Sequence, residues 1–284
     1  MPGAHPSVRA RQLAAELRRL REAALLTGTE TATRLDWSAS KVSRIENGRT
    51  AVSPADLRLL LDLYQVVGSR REHLLSLGRS ARQRGWWDAY NDTLRQGYST
   101  LIALEDDAEA ERFYASTIVP GLLQTKNYAQ EIIQTGSVII PPGEVERRVQ
   151  VRITQQGVLT RENPLEFTVV LDEATLRRQV GGAAVMREQV SYLAEAAGRP
   201  NITIQVLPFA MGSHLAMQGG FVIVQFPEEN APEVVYLENM TSDLFVEDER
   251  EVYQYSLVFD HLRSLALGPD ESVGFINQIA SESI

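Results

Sequence analysis

Residues 26–49 read LTGTETATRLDWSASKVSRIENGR, and this stretch decides how the first part of the chain folds. Thr29 to Leu35 suits a short helix with Ala32 and Leu35 turned inward. Asp36-Trp37 interrupts it. Ser38 is a good N-cap, because its hydroxyl accepts a bond from an otherwise unpaired backbone N–H. From Ser38 to Asn47 a second helix puts Val42 and Ile45 on one face. The other face carries Ala39, Ser40, Lys41, Ser43 and Arg44, which are small side chains plus two cations. A helix face this bare can approach base edges in a major groove, and an arginine on it reaches guanine with two hydrogen bonds. Helix, short turn, then a helix with a small and basic outer face is the pattern of a helix-turn-helix.

Ser40 to Gly48, SKVSRIENG, resembles the Xre/Cro repressor type of helix-turn-helix. Gly28 stands where that type usually has a Gln braced against phosphate. Asp36 stands where its turn usually has Gly in the left-handed region, which Asp tolerates better than most residues. The resemblance implies a regulator of transcription, a repressor in type, that binds double-stranded DNA. It places Ala39, Ser40, Lys41, Ser43, Arg44 and Asn47 on the DNA-reading helix and Arg49, Arg11 and Arg18 near phosphate. One such helix reads only a few base pairs, so a homodimer on two half-sites is expected.

The flanking sequence supplies the rest of a bundle. Arg9 to Leu25 is amphipathic, with Leu13, Leu17, Leu20 and Ala24 recurring on one side. Ser53-Pro54-Ala55-Asp56 is a helix start, followed by Leu57, Leu60, Leu61 and Tyr64. Ser69 to Gln83 gives a fifth helix with Leu74, Leu75 and Leu77 inward. The expectation is an N-terminal all-α helix-turn-helix bundle of five helices over residues 1–84. Gly85-Trp86-Trp87 then marks a change of regime.

Composition bounds what the whole can be. The 284 residues suit one large or two modest domains, and 44% hydrophobic content is ample for a core. With no cysteine, disulfides, thiolate metal sites and cysteine nucleophiles are excluded. No apolar run approaches the roughly 20 residues of a membrane span, and Met1 to Ser7 has no apolar core segment. A soluble, cytoplasmic protein without membrane association is expected. The net charge of -9 is unevenly distributed. Residues 1–84 hold 15 Lys and Arg against 8 Asp and Glu, and the remainder holds 13 against 29. A basic head suits a polyanion. The acidic body faces away from DNA, meets a basic partner, or simply confers solubility.

Residues 85–284 read as an acidic C-terminal α+β domain. Helical patterns occupy Gly143 to Gly157, Asp172 to Gln179, Val185 to Ala197, Glu247 to Leu267 and Glu271 to Ile279. Leu165 to Leu171, Ile202 to Leu207, Phe221 to Phe226 and Val234 to Leu237 read as strands. These elements predict a small mixed sheet with helices on one side. Glu105, Asp106, Asp107, Glu109 and Glu111 cluster in a way that suits a hard cation or, more simply, a solvated helix or strand edge; the calcium-loop spacing is absent.

Val119 to Thr125, VPGLLQT, with Tyr128-Ala129 after it and Glu105 to Ala108 before it, resembles the uncharacterised domain that follows this helix-turn-helix in actinobacterial regulators of the WhiJ-like group. That resemblance implies transcriptional control, often with a small partner protein encoded nearby, and supplies no catalytic set. Two functions stay open for this domain. It senses a small-molecule effector or binds the small partner; alternatively the chain is antitoxin-like, neutralising a small basic protein and repressing its own operon.

An enzyme is not expected. His5, His73, His214 and His261 are scattered without ligand spacing, and no metalloprotease, nucleophile-elbow, phosphate-loop or dinucleotide motif occurs. No catalytic residue, metal or cofactor is assigned. One stretch resembles a site: Pro208 to Gly220 joins two strands and is long and apolar for a solvent loop. Phe209, Met211, His214 and Met217 suit an adaptable small-molecule pocket, or a loop folded over the sheet edge, or a dimer contact.

Overall fold

Leucines spaced on one stripe turn α1 (Val8–Ala23) into the base of the first core: Leu13, Leu17 and Leu20 are buried. Ala24 is exposed, and Leu26 takes the inward place beyond it. The computed structural model describes residues 8–48, 50–81, 85–90, 92–136, 141, 143–227 and 232–282, without the side chains of 8, 9, 11, 12 and 80. Two compact units emerge, residues 1–89 and 90–284.

The first unit continues with α2 (Gly28–Arg34), α3 (Ala39–Glu46), α4 (Pro54–Leu63) and α5 (Gly68–Ser80). Caps set their starts. Thr27 and Glu30 close a capping box on α2, Ser38 accepts from Lys41 N, and Ser53 accepts from Asp56 N. One apolar cluster joins α1, Ile45 of α3, Leu57, Leu60 and Leu61 of α4, and Leu74 of α5. The five-helix bundle is therefore present.

Several helices in this unit end on a non-glycine residue in the left-handed region: Leu25 (φ 56), Asp36 (φ 54) and Gln65 (φ 57). Each is followed by a residue whose N–H returns to a carbonyl five positions earlier: Leu26 to Arg21 at 3.1 Å, Trp37 to Ala32 at 2.8 Å and Val66 to Leu61 at 2.9 Å. This ending favours glycine, which has no Cβ to crowd the following carbonyl. Leu25 gains nothing in return, being 90% exposed. Leu25→Gly should therefore stabilise the first unit by about 1 kcal/mol, read as a higher urea midpoint at unchanged slope. A lower midpoint would show that the leucine makes contacts worth more than its backbone strain.

The second unit contains β1 (Ala110–Ala115), β2 (Glu166–Asp172), β3 (Ile202–Leu207), β4 (Phe221–Gln225), β5 (Val234–Glu238) and β6 (Asp243–Val246). Its helices are α6 (Gln96–Asp107), α7 (Lys126–Thr135), α8 (Glu144–Gln155), α9 (Glu173–Arg177), α10 (Ala183–Ala196), α11 (Glu249–Leu265) and α12 (Pro269–Glu282). The strands form one mixed sheet in the order β3-β2-β1-β4-β5-β6. β1, β2 and β3 run parallel, while β4, β5 and β6 pair antiparallel. The α+β class with a mixed sheet is confirmed, and two of its strands, β1 and β6, are not among those the sequence pattern marks.

Helices on one side of the sheet is a reading that needs correction. α11 covers the face carrying Tyr114, Val170, Ile223 and Val235. On the opposite face Glu111, Phe113, Ala115, Val222 and Tyr236 share a cavity with Leu101 of α6 and Gln155 of α8. Strand alternation sends neighbouring residues to opposite faces, so one edge-to-edge sheet serves two helical layers. The solvated reading of the acidic cluster also fails at two positions: Glu105 is 3% and Glu111 1% exposed. Among the described residues no helix is long and apolar enough to cross a membrane.

Candidate functional sites

On the first unit the outer face of α3 presents Ala39, Ser40, Ser43, Arg44 and Asn47, all of them exposed, with Asn47 at the helix end. Their spacing keeps them on one side of the helix, while Val42 and Ile45 point into the core. Arg44 Nη1 reaches Ser40 Oγ at 3.5 Å. The Asn47 side chain donates to Ser43 O at 2.7 Å and contacts Ser43 Oγ at 3.2 Å, which fixes it in place. Lys41 belongs to a different neighbourhood. Its Nζ lies 2.8 Å from Asp56 Oδ1 and 3.7 Å from the centre of the Trp37 ring. The ammonium thus ties α3 to the start of α4.

Arg18 is exposed and pairs with Glu22 at 3.0 Å. Arg49 lies outside the described residues, as does the side chain of Arg11. A feature that sequence reasoning missed holds the whole face in place. Arg21 of α1 donates from Nε to both carboxylate oxygens of Glu46, at 2.9 and 3.0 Å, and from Nη1 to Leu26 O at 2.8 Å. Only the side chains' small exposure, 13% and 9%, leaves them in touch with solvent. One charged N–H shared between both carboxylate oxygens, with a second guanidinium nitrogen held by Leu26 O, ties α3 to α1. The only signal in the sequence was Glu46 on the inner side of a helix whose other inner positions are apolar.

On the second unit the sheet face opposite α11 forms the floor of a cavity of about 440 Å³. Its wall is built largely by the Val119–Thr125 stretch. Pro120 starts a 3₁₀ turn at Gly121–Leu123, and Thr125 caps α7 through Tyr128 N. Glutamines staple this loop. Gln124 donates to Val119 O at 2.7 Å, Gln189 donates to Leu123 O at 2.7 Å and accepts from Thr125 N at 2.8 Å, and Gln156 donates to Gln124 O at 2.7 Å. Gly121 leaves room for Arg152, since a Cβ there would lie 3.0 Å from its guanidinium.

A polar chain runs along the cavity. Arg152 donates from Nε to Tyr98 Oη at 2.7 Å and from Nη1 to Gln124 Oε1 at 2.7 Å. Tyr98 donates to Gln155 Oε1, and Gln155 Nε2 donates to Glu105 Oε2. Burial pushes the Glu105 carboxyl up to about 7, against the hydrogen bond from Gln155 and the charge of Arg152. Burial, and then the charge of Glu105, push Glu111 well above the ordinary carboxylate range. Glu111 Oε2 is buried with no hydrogen-bond partner.

The Pro208–Gly220 loop does not fold into a pocket. Phe209, Met211 and Met217 are 57%, 43% and 67% exposed. His214 points the other way, under the loop: Nε2 is 3.3 Å from Tyr114 Oη and Nδ1 accepts from Ala216 N at 3.2 Å. The four residues expected to line one pocket are therefore split between solvent and the α11 side of the sheet. What the loop gives the cavity is its end, Gly219 and Gly220. A Cβ on Gly220 would meet Tyr114 O at 2.7 Å, so only glycine fits there. Among the described residues no group of three or more His, Cys, Asp or Glu side chains is placed to hold a metal ion.

Comparison with known proteins follows the same division. Residues 12–74 match the family model of a helix-turn-helix domain, and residues 98–278 match that of a domain of unknown function (DUF5753). No curated protein matches the chain. A helix-turn-helix with an exposed, bare and basic second helix, joined to a cavity-bearing α+β unit, is the architecture of a DNA-binding regulator, and over most of its length the chain belongs to the family described as domain of unknown function (DUF5753).

Proposed function

We propose that the chain is a cytoplasmic, sequence-specific transcriptional regulator of the Xre/Cro type, and not an enzyme, that binds its operator as a homodimer and senses a small-molecule effector with its C-terminal unit. The observation that carries the DNA-reading half is the outward row Ser40, Ser43, Arg44 and Asn47 on α3, backed by the Arg21–Glu46 pair. Lys41 is assigned to bracing α3 rather than to base contact, because Asp56 and Trp37 already hold its ammonium. The observation favouring an effector is the cavity with its buried, unsatisfied carboxylate.

Selection of genomic fragments by the full-length protein at physiological salt tests the reading. Wild type should recover a discrete, roughly palindromic site. Arg44→Ala should lose about 1–3 kcal/mol on that site, with little change on unrelated DNA. Equal affinity of both proteins for the site would remove Arg44 from the base-reading set, and the absence of any selected site would sink the operator reading.

A second reading has its own observation. Phe209, Met211, Leu215 and Met217 leave large apolar surfaces exposed on one loop of the acidic unit. That surface suits a small basic partner protein, as in an antitoxin-like, self-repressing operon. Co-purification of a neighbour-encoded protein, lost when Phe209 and Met217 become serine, would favour it.

A further inference from the structure

We propose that the cavity of the second unit takes an organic cation, an ammonium group on a compact apolar body, with Glu111 as its principal acceptor and Glu105 beside it. This rests on the effector-sensing reading above and names the chemical class of the effector. Glu111 sits on β1 between positions that carry the core, and strand alternation turns it to the cavity with Phe113 and Ala115. It is 1% exposed, and its Oε2 has no partner. A buried carboxyl without a donor costs stability, and Glu111 is among the residues that line a space large enough to admit the missing donor.

The cavity's own cation does not fill that role. Arg152 is bound to Tyr98 and Gln124 and lies over the Tyr98 ring at 5.1 Å. Its hydrogen bonds reach Glu105 only through Tyr98 and Gln155. At the rim Glu238 adds a third carboxylate, already paired with Arg95. An anionic ligand would meet Glu238 at the rim and two buried acidic side chains inside, and the lining cation, Arg152, is already held by Tyr98 and Gln124. A cation would meet acceptors, and Phe113 and Leu101 offer its body an apolar surface. The volume, about 440 Å³, is that of a small-molecule site. Burial raises both carboxyls above the ordinary carboxylate range, so an ammonium that draws them into the charged form releases protons on binding and binds more tightly as pH rises.

Titration calorimetry on the full-length protein decides this. The probes are phenethylamine, tryptamine and cyclohexylmethylamine, each beside the alcohol and the carboxylate of the same skeleton. The amines should bind about tenfold or more tightly than their counterparts, and Glu111→Gln should erase that preference. Ala115→Leu, which fills the floor and keeps both carboxyls, should abolish binding; it tests the same cavity should Glu111→Gln not fold. Alcohols or carboxylates binding as well as amines, or an amine preference that survives Glu111→Gln, would overturn the cationic class and leave effector sensing standing. Calcium or magnesium binding that depends on Glu111 would overturn it in favour of a metal. No binding by any of the three classes would remove both this inference and the effector-sensing reading, with the DNA-reading half untouched.

Discussion

Glu46→Ala should lower the stability of the first unit by about 2–3 kcal/mol, the largest single-residue effect expected in that half of the chain. The substitution leaves the Arg21 guanidinium, 13% exposed in the native unit, with the Leu26 carbonyl and the more distant Glu22 carboxylate at 3.5 Å as its remaining partners. Native domains are stable by only about 5–15 kcal/mol, so this loss separates the unfolding of the two units, with the helix-turn-helix melting first. Replacing both partners, Arg21→Met with Glu46→Leu, should restore stability to within about 1 kcal/mol, because the cost lies in the stranded charge rather than in the absent attraction. The double variant should still bind its operator less tightly than wild type, since apolar side chains do not set the angle of α3 on α1 as directional charged hydrogen bonds do. A loss below about 1 kcal/mol for Glu46→Ala would mean that water reaches the pair and that it behaves as a surface salt bridge.

How much of this is legible in the sequence differs sharply between the two units. The helix-turn-helix depends on local signals. Ser38 and Ser53 each cap the helix next to them, and leucines repeat within one helix, so a window of about ten residues contains the answer. Arg21 and Glu46 are 25 residues apart, and nothing local marks them as partners. Lys41 shows the same limit. Its place on a basic helix face is readable, but Asp56 and Trp37 approach it from other segments.

In the second unit the strands that the sequence marks, such as β2 and β3, are runs of apolar residues. β1 escapes because AERFYA carries Glu111 and Arg112 in its middle. Each charged group is explained only by partners far along the chain. Arg112 pairs with Glu233 at 2.8 Å and with Ser256 of α11 at 3.1 Å, whereas Glu111 turns to the cavity. The VPGLLQT stretch stands out by its residues, and it does build a wall of the candidate site. The Phe209–Met217 loop misleads because apolar composition shows what a loop can contact and not which way it turns. His214 is drawn under the loop by Tyr114, 100 residues away.

The buried carboxyls lead to the second large effect. Glu105→Gln with Glu111→Gln should make the second unit more stable than wild type at pH 8 and leave it unchanged, within about 1 kcal/mol, at pH 4. The sign follows from where the protons sit. Both folded-state values are raised, so the folded chain holds protons that the unfolded chain has released. Stability from these groups is full below the ordinary carboxylate value of 4.5 and is lost as pH rises, through about 7 for Glu105 and through a value well above 4.5 for Glu111. The raised value of Glu105 alone corresponds to about 3 kcal/mol. Carboxylates whose values are lowered, such as Asp92 through its bond to Arg147, act with the opposite sign. They are common to both proteins and cancel in the difference. Urea unfolding of the second transition at the two pH values measures it, and parallel pH dependence in the two proteins would show that solvent reaches the carboxyls. The same cost explains how an effector would act. A cavity that resists ionisation when empty and accepts it when a cation is bound stabilises the second unit on binding by mass action. Any two-state element of the chain that differs in how well it holds the cavity closed is then biased by the ligand.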